Sequence, residues 1–484
     1  MKKKSIKINA VLNIIKSLLS VVFPLITYPY AARVLGSENL GKVNYCSSIV
    51  SYFSLLAAFG VTSYAIREGA RVRDNKKKFS KLANEMFTIN IVTTIIAYVF
   101  LFAAVYFVNK LHHYRLLILL QSLTIIFTTF GVDWINTIYE DFFFTTIRGI
   151  ITHVIALVLL FILVKHKEDY YLYAMLTVVS NAIMCVINYF YCKRYAKIQI
   201  TRKPNLSKHL PAMSVFFVNA VAVSIYVNAD TTMLGWMVGD NAVGIYSVAV
   251  KIYSIMKLML VAIYSVALPR LSFYFGHGDH ENYRKLFSEI VSVLLLLLLP
   301  ASAGIYMLSP QIILLIGGNE FITGAKSLEI LSIALIFAIL GGVLSQCMNI
   351  SLGKEKINAF ATIVSAIFNI LLNIPFITHM QENGAAITTA ISEAIVLFIC
   401  SIYGRNLLKK YLDIRVLKNV IHSILGVILV IVICTTVKSY DMGIWGTLII
   451  SMFVSIAVYG VILIILKNDV VLLALKNLKR IKEK

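Results

Sequence analysis

Residues 443–466 read GIWGTLIISMFVSIAVYGVILIIL, a run without a single Asp, Glu, Lys or Arg. A helix rises about 1.5 Å per residue, so about 20 apolar residues cross the hydrocarbon core of a bilayer. This run therefore predicts a membrane-spanning helix, and it decides the class of fold. Working outward, the same criterion predicts spans at 11–32, 43–63, 84–108, 116–136, 147–164, 170–191, 212–237, 243–268, 287–308, 327–350, 357–377, 384–403 and 419–437. With 443–466 these make fourteen. Backbone N–H and C=O groups find no partner in lipid, so segments of this length cross it as helices. The expected fold is an all-α polytopic membrane protein.

The composition agrees. Of 484 residues, 59% are hydrophobic and 14% charged, with a mean hydropathy of +0.83, against about 25% charged in a soluble domain. Lys and Arg total 45 and Asp and Glu 23, a net charge of +22. In a soluble protein that excess would suggest nucleic acid. Here the basic residues gather between spans, most densely at Arg67 to Lys81, Lys193 to Lys208, Arg405 to Lys418 and Lys467 to Lys484. That segregation follows the positive-inside rule if both termini are cytoplasmic. Membrane lipids, not nucleic acid, are the expected surroundings.

Met1-Lys-Lys-Lys4 precedes an apolar stretch too long for a signal peptide's core, with no small-residue cleavage site after it, so 11–32 reads as an uncleaved first span. The inter-span segments leave no room for a soluble catalytic domain, so no enzyme activity, catalytic residue, metal or resident cofactor is expected. The six cysteines (Cys46, Cys185, Cys192, Cys347, Cys400 and Cys434) show no CxxC or ligand spacing and read as small apolar packing residues.

An internal repeat is visible. Gly36-Ser-Glu-Asn-Leu-Gly41 follows the first span and Gly239-Asp-Asn-Ala-Val-Gly244 follows the seventh, offset by 203 positions. Six spans separate the two copies, an even number, so they share one orientation. That predicts a parallel repeat about an axis along the membrane normal. The expected division is 1–210 (helices 1–6), 211–404 (helices 7–12) and 405–484 (two further helices and a basic cytoplasmic tail).

Two motifs dissolve on inspection. Gly36-x4-Gly41-Lys42 approaches a phosphate-binding loop, but Val43 stands where magnesium needs a hydroxyl and no strand precedes it, so a helix-connecting turn is the better reading. His277-Gly-Asp-His280 lies in a short polar loop without further ligands and reads as a solvated turn.

Polar residues inside the spans carry more. Asn9, Asn13, Lys16, Ser20, Pro24 and Thr27 recur at steps of three or four, as do Ser247, Lys251, Ser254 and Lys257, and then Asn358, Thr362, Ser365, Asn369 and Asn373. The seventh span adds Asn219, Asn228 and Asp230. Such stripes avoid lipid because unsatisfied polar groups there cost several kcal/mol. Either they bridge helices by hydrogen bonds, or they line a water-filled cavity. For Lys251 and Lys257 a cavity is favoured, since a charge inside a span needs water or a partner; Lys16 lies near enough to the inner face to snorkel. Pro24, Pro29, Pro300 and Pro375 permit bending of their helices.

Phe23-Pro-Leu-Ile-Thr-Tyr-Pro-Tyr-Ala-Ala-Arg33-Val-Leu-Gly36 resembles the N-terminal signature of bacterial polysaccharide repeat-unit flippases. Phe130-Gly-Val-Asp133-Trp134 with Glu140 and Arg148, Asn228-Ala-Asp230 through Lys251, Asn369-x3-Asn373-Ile-Pro375 and Gly384 to Glu393 resemble later segments of that family, in order. At Asn136 to Tyr139 the sequence departs, lacking the glycine that usually precedes the acidic residue. The resemblance implies two six-helix lobes facing a central cavity, plus two C-terminal helices, within the superfamily that also holds multidrug exporters. It implies transport of an oligosaccharide on undecaprenyl pyrophosphate from the inner to the outer leaflet of a bacterial cell membrane. A polysaccharide polymerase and chain-length machinery are the expected partners, and a proton or sodium gradient the expected drive. Lys251, Lys257, Lys16, Arg33, Asn369 and Asn373 are then the candidate substrate contacts, and Asp230 and Glu140 the candidate coupling groups. The alternatives are a cation-coupled multidrug exporter of the same architecture and a membrane-embedded polysaccharide polymerase.

Overall fold

The structure, a computed structural model, describes residues 6–202, 204–473 and 476, with side chains from residue 22 onward. Among the described residues the regular structure is entirely helical. Eleven helices are long and apolar enough to cross a membrane; Arg115–Gly131, at 17 residues, is apolar but shorter. The chain is a multi-pass helical membrane protein. Fourteen separate spans were expected. The difference arises because some spans are joined without an intervening loop, and because Arg115–Gly131 ends early, at a left-handed Val132 (φ 44°).

Two long helices contain such a junction. Ile6–Ala58 breaks at Gly36 (φ 74°, ψ 174°), and Asn44 donates to the Tyr28 hydroxyl at 3.4 Å, two residues equidistant from the break. Glu355–Tyr403 breaks at Gln381 (φ 50°). Across that break Ser365 donates to the Ser392 carbonyl at 2.8 Å and Thr388 to Asn373 at 2.5 Å. A Cβ on Gly384 would lie 2.8 Å from the Ile377 nitrogen. Each is thus a helical hairpin whose arms run antiparallel. Pro24, Pro29, Pro300, Pro310, Pro211 and Pro375 all lie inside helices.

The chain forms two compact units, Met1–Gly244 and Ile245–Lys484. The Leu206–Met237 helix falls in the first unit, where it packs on Ile6–Ala58. Compactness therefore divides the chain at a different point from 210/211, the boundary proposed from the repeat.

The repeated turns meet inside the first unit. Gly36 and Gly239 both take positive φ (74° and 132°), a conformation open to glycine at little cost. A Cβ on Gly41 would fall on the Asp240 carbonyl, 2.6 Å from its carbon; one on Gly244 would fall on the Ser37 carbonyl, 2.7 Å from its carbon. Ser37 donates to Asn241 at 2.5 Å. Under the offset of 203, Ser37 corresponds to Asp240 and Gly41 to Gly244, so the two close approaches are exchanged by a two-fold relation. Four glycines in one six-residue pattern have a shared cause: two turns and two backbone contacts. All six cysteines are buried and free, as expected of packing residues.

Candidate functional site

In the Ile245–Lys484 unit the Asp240–Ser265 helix carries Tyr253 and Lys257, four residues apart and so on one face. Opposite stands Glu393, in the returning arm of the Glu355–Tyr403 hairpin. Lys257 Nζ lies 2.5 Å from Glu393 Oε1, and the Tyr253 hydroxyl donates to the same oxygen at 2.7 Å. The Glu393 side chain is 6% exposed and that of Lys257 31%. Attraction between buried charges offsets their desolvation only when further hydrogen bonds satisfy the pair, which is the part Tyr253 plays. An ion pair held within apolar spans marks a site more readily than a scaffold.

On the other arm of the hairpin Asn369 and Asn373 are almost wholly buried. Asn373 donates to Asn369 at 3.3 Å and accepts from Thr388 at 2.5 Å. Asn373 thus bridges the two arms through Thr388, one of the two roles the stripe allowed, while its bond to Asn369 lies within one arm. Lys251, six residues before Lys257, is half-buried. The structure thus brings Lys257 to an acidic partner and Asn373 to Asn369 and Thr388.

The remaining candidates fall in the Met1–Gly244 unit. Asp230 is buried in Leu206–Met237; two residues on, Thr232 donates to Ser48 at 3.0 Å and meets the Tyr52 hydroxyl at 3.2 Å. Arg33 is exposed, just before the Gly36 turn. Glu140 lies outside the spans in a left-handed turn (φ 53°), about half exposed and 3.0 Å from Arg73. Lys16 is in the first helix, and its side chain lies outside the described residues.

Sequence reasoning passed over three groups. Glu393 sits mid-span, and the test that singled out Lys257, a charge inside an apolar run, applies equally to it. His209 is buried between Glu85 (3.0 Å) and the Tyr64 hydroxyl (2.7 Å). Asp141, 2% exposed, accepts from Tyr191 and Tyr195 at 2.6 Å each and from Arg194. Burial first, and then the Asp141 carboxylate, push the Tyr195 phenol above its ordinary range, so it remains a donor. Nothing in the spacing of Asp141, Tyr191 and Tyr195 announces that cluster.

The chain is thus a multi-pass helical membrane protein with an ion pair inside its spans, which marks a functional site there. The sequence model of the family described as "Polysaccharide biosynthesis protein" matches residues 6–275, more than half of the chain, and the chain belongs to that family. The MatE model also matches, over residues 216–374. The "Putative O-antigen transporter" of Shigella dysenteriae is 24% identical over 383 residues, covering 78% of this chain and 95% of that one. The protein of the same name in Escherichia coli K12 is 22% identical over 410 residues, covering 84% and 98%. Among solved structures, the lipid II flippase MurJ in an inward closed conformation superposes with a TM-score of 0.77 at 14% identity, over 96% of this chain and 99% of that one. An inward-facing multidrug resistance MATE transporter gives 0.58 at 15% identity, over 80% and 98%. At these identities the structural likeness establishes the fold.

Proposed function

We propose that this protein is a flippase that moves an undecaprenyl-pyrophosphate-linked oligosaccharide from the cytoplasmic to the outer leaflet of a bacterial inner membrane, by alternating access. The observation that carries the reading is the similarity to O-antigen transporters along nearly their whole length, joined to the Lys257–Glu393 pair within the spans. A pyrophosphate linker carries about two negative charges. Lys257, one-third exposed, is able to exchange its bond to Glu393 for one to phosphate, and Lys251 lies about 9 Å away along the helix axis. At an effective dielectric near 20, a unit charge pair at 4 Å attracts by about 4 kcal/mol, enough to compete with the existing bond.

In this reading both termini are cytoplasmic, no bond of the cargo is made or broken, and a polymerase takes up the delivered units. Asp230, buried within a span, is the stronger coupling candidate for a proton or sodium ion. Glu140, on an exposed surface pair, is the weaker one. The MatE match over 216–374 favours a second reading, a cation-coupled exporter of small molecules. Deleting the gene separates the two. Lipid-linked oligosaccharide should accumulate on the cytoplasmic leaflet and recover on complementation. Normal export of the glycan with altered drug tolerance would sink the flippase reading.

A further inference from the structure

The Met1–Gly244 unit contains a cavity of about 260 Å³ that the reading above does not use. Its wall includes Asp133, Asn136, Phe142, Arg148, Gly149 and His153. The charged groups are held in place from behind. Arg148, 8% exposed, donates to Asp133 Oδ1 at 2.7 Å and to the Met184 carbonyl at 3.1 Å. Its Nε is buried without a hydrogen-bond partner. Asp133 opens a short helix after the left-handed Val132 and leaves 58% of its side chain exposed. Asn136 is anchored to Asn188 at 2.5 Å. His153 stacks on Phe23 with ring centroids 4.5 Å apart.

The ligand follows from this lining. Arg148 and Asp133 cancel in charge, so neither a free anion nor a free cation is matched. The Asp133 carboxylate is an acceptor aimed outward from a fixed guanidinium, which suits a ligand bearing several hydroxyl donors. Phe142 and His153 supply flat rings against which C–H groups pack. The volume falls below the roughly 300–1,000 Å³ of drug-sized sites, and equals that of about eight or nine waters at about 30 Å³ each. It fits one ring, not a chain of them.

We propose that this cavity is a saccharide subsite that binds a single uncharged sugar ring, with Asp133 accepting from its hydroxyls and Arg148 positioning Asp133. That the ring belongs to a lipid-linked oligosaccharide rests on the flippase reading; that the cavity takes a sugar does not.

The test uses the full chain in phosphatidylglycerol nanodiscs and saturation-transfer NMR. The probes are the methyl glycosides of glucose, galactose, rhamnose and N-acetylglucosamine, with glycerophosphoethanolamine as the lipid-headgroup probe. At least one glycoside should receive transfer. Gly149→Leu should weaken it about tenfold or more, the loss expected when a hydrogen bond to a charged group is denied. A Cβ at Gly149, in the cavity wall, meets nothing within 4 Å, so the new side chain starts into open space, and leucine favours a helix over glycine. Asp133→Asn, which keeps the shape, should weaken binding by a similar factor. No transfer to any glycoside, or transfer unchanged in Gly149→Leu, overturns the proposal. So does transfer confined to glycerophosphoethanolamine, which would make the cavity a headgroup site. Glycoside binding by the purified protein, together with normal lipid-linked glycan export in cells from which its gene is deleted, would instead sink the flippase reading and leave the subsite standing.

Discussion

The two units handle charge differently. In Met1–Gly244 the Asp141 cluster lies at the start of the Phe142–Leu163 helix, its carboxylate bonded by Tyr191, Tyr195 and Arg194 from the end of the next helix and beyond it. In Ile245–Lys484 the pair Lys257–Glu393 lies well inside its helices, bonded to one tyrosine and partly open. Charge at a helix end has water and loop backbone within reach, so it serves as a fastener. Charge within a span has only what the fold supplies, and it persists there at a cost in stability. The comparison teaches that the Asp141 cluster holds structure, whereas the Lys257–Glu393 pair is where cargo contact should be sought; the Arg148–Asp133 pair stands apart from both, with Asp133 58% exposed beside its cavity.

The largest effect should come from that pair. Lys257→Ala alone leaves Glu393 buried without its partner, at a cost of about 3–5 kcal/mol, so lower accumulation is expected beside the loss of function. The double variant Lys257→Met with Glu393→Gln removes both charges and should accumulate normally while export of lipid-linked glycan is abolished. Lys257→Arg should keep part of the activity, since a mobile phosphate responds to charge more than to shape. Immunoblots of membranes alongside leaflet-resolved glycan assays check all three. Full export by the double variant would make the second unit's pair a fastener too, and the comparison would fall.

A smaller and different effect is expected at Asp141. Asp141→Asn weakens charge-assisted bonds from Arg194, Tyr191 and Tyr195, worth about 1.5–3 kcal/mol each in such settings. Thermal unfolding of the purified protein should shift downward, while export per molecule in the membrane stays unchanged. A specific loss of export at normal stability would move Asp141 from fastener to site.

The smallest effect belongs to the Arg73–Glu140 pair on the surface. Exposed pairs contribute about 0–1 kcal/mol, so Glu140→Gln should alter neither accumulation nor export measurably. Loss of export or of its ion dependence would restore Glu140 as a coupling group.

Most of the architecture was legible along the chain. Hydropathy over about 20 residues is a local property, and lipid admits few solutions for such a segment, so the helical membrane fold followed from runs such as 443–466. The repeat was legible because its glycines answer to backbone geometry: Gly36 and Gly239 by positive φ, Gly41 and Gly244 by contact with Asp240 and Ser37. The reversals at Gly36 and Gln381 fall between spans read as separate, 11–32 and 43–63, and 357–377 and 384–403; what hydropathy did not report is that each reversal takes a single non-helical residue within an otherwise continuous helix.

The candidate site divided along the same line. Lys257 stood out as a charge where lipid tolerates none, and Asn369 and Asn373 stood out by their spacing. The sequence by itself thus determined that the chain is a multi-pass helical membrane protein with polar stripes that avoid lipid. Only the tertiary structure decided what those stripes touch. Lys257 meets a glutamate 136 positions away, and Arg148 turns Asp133 toward a cavity whose walls come from three helices. The reason is physical: burial in lipid is fixed residue by residue, whereas an ion pair or a cavity exists only once distant helices pack.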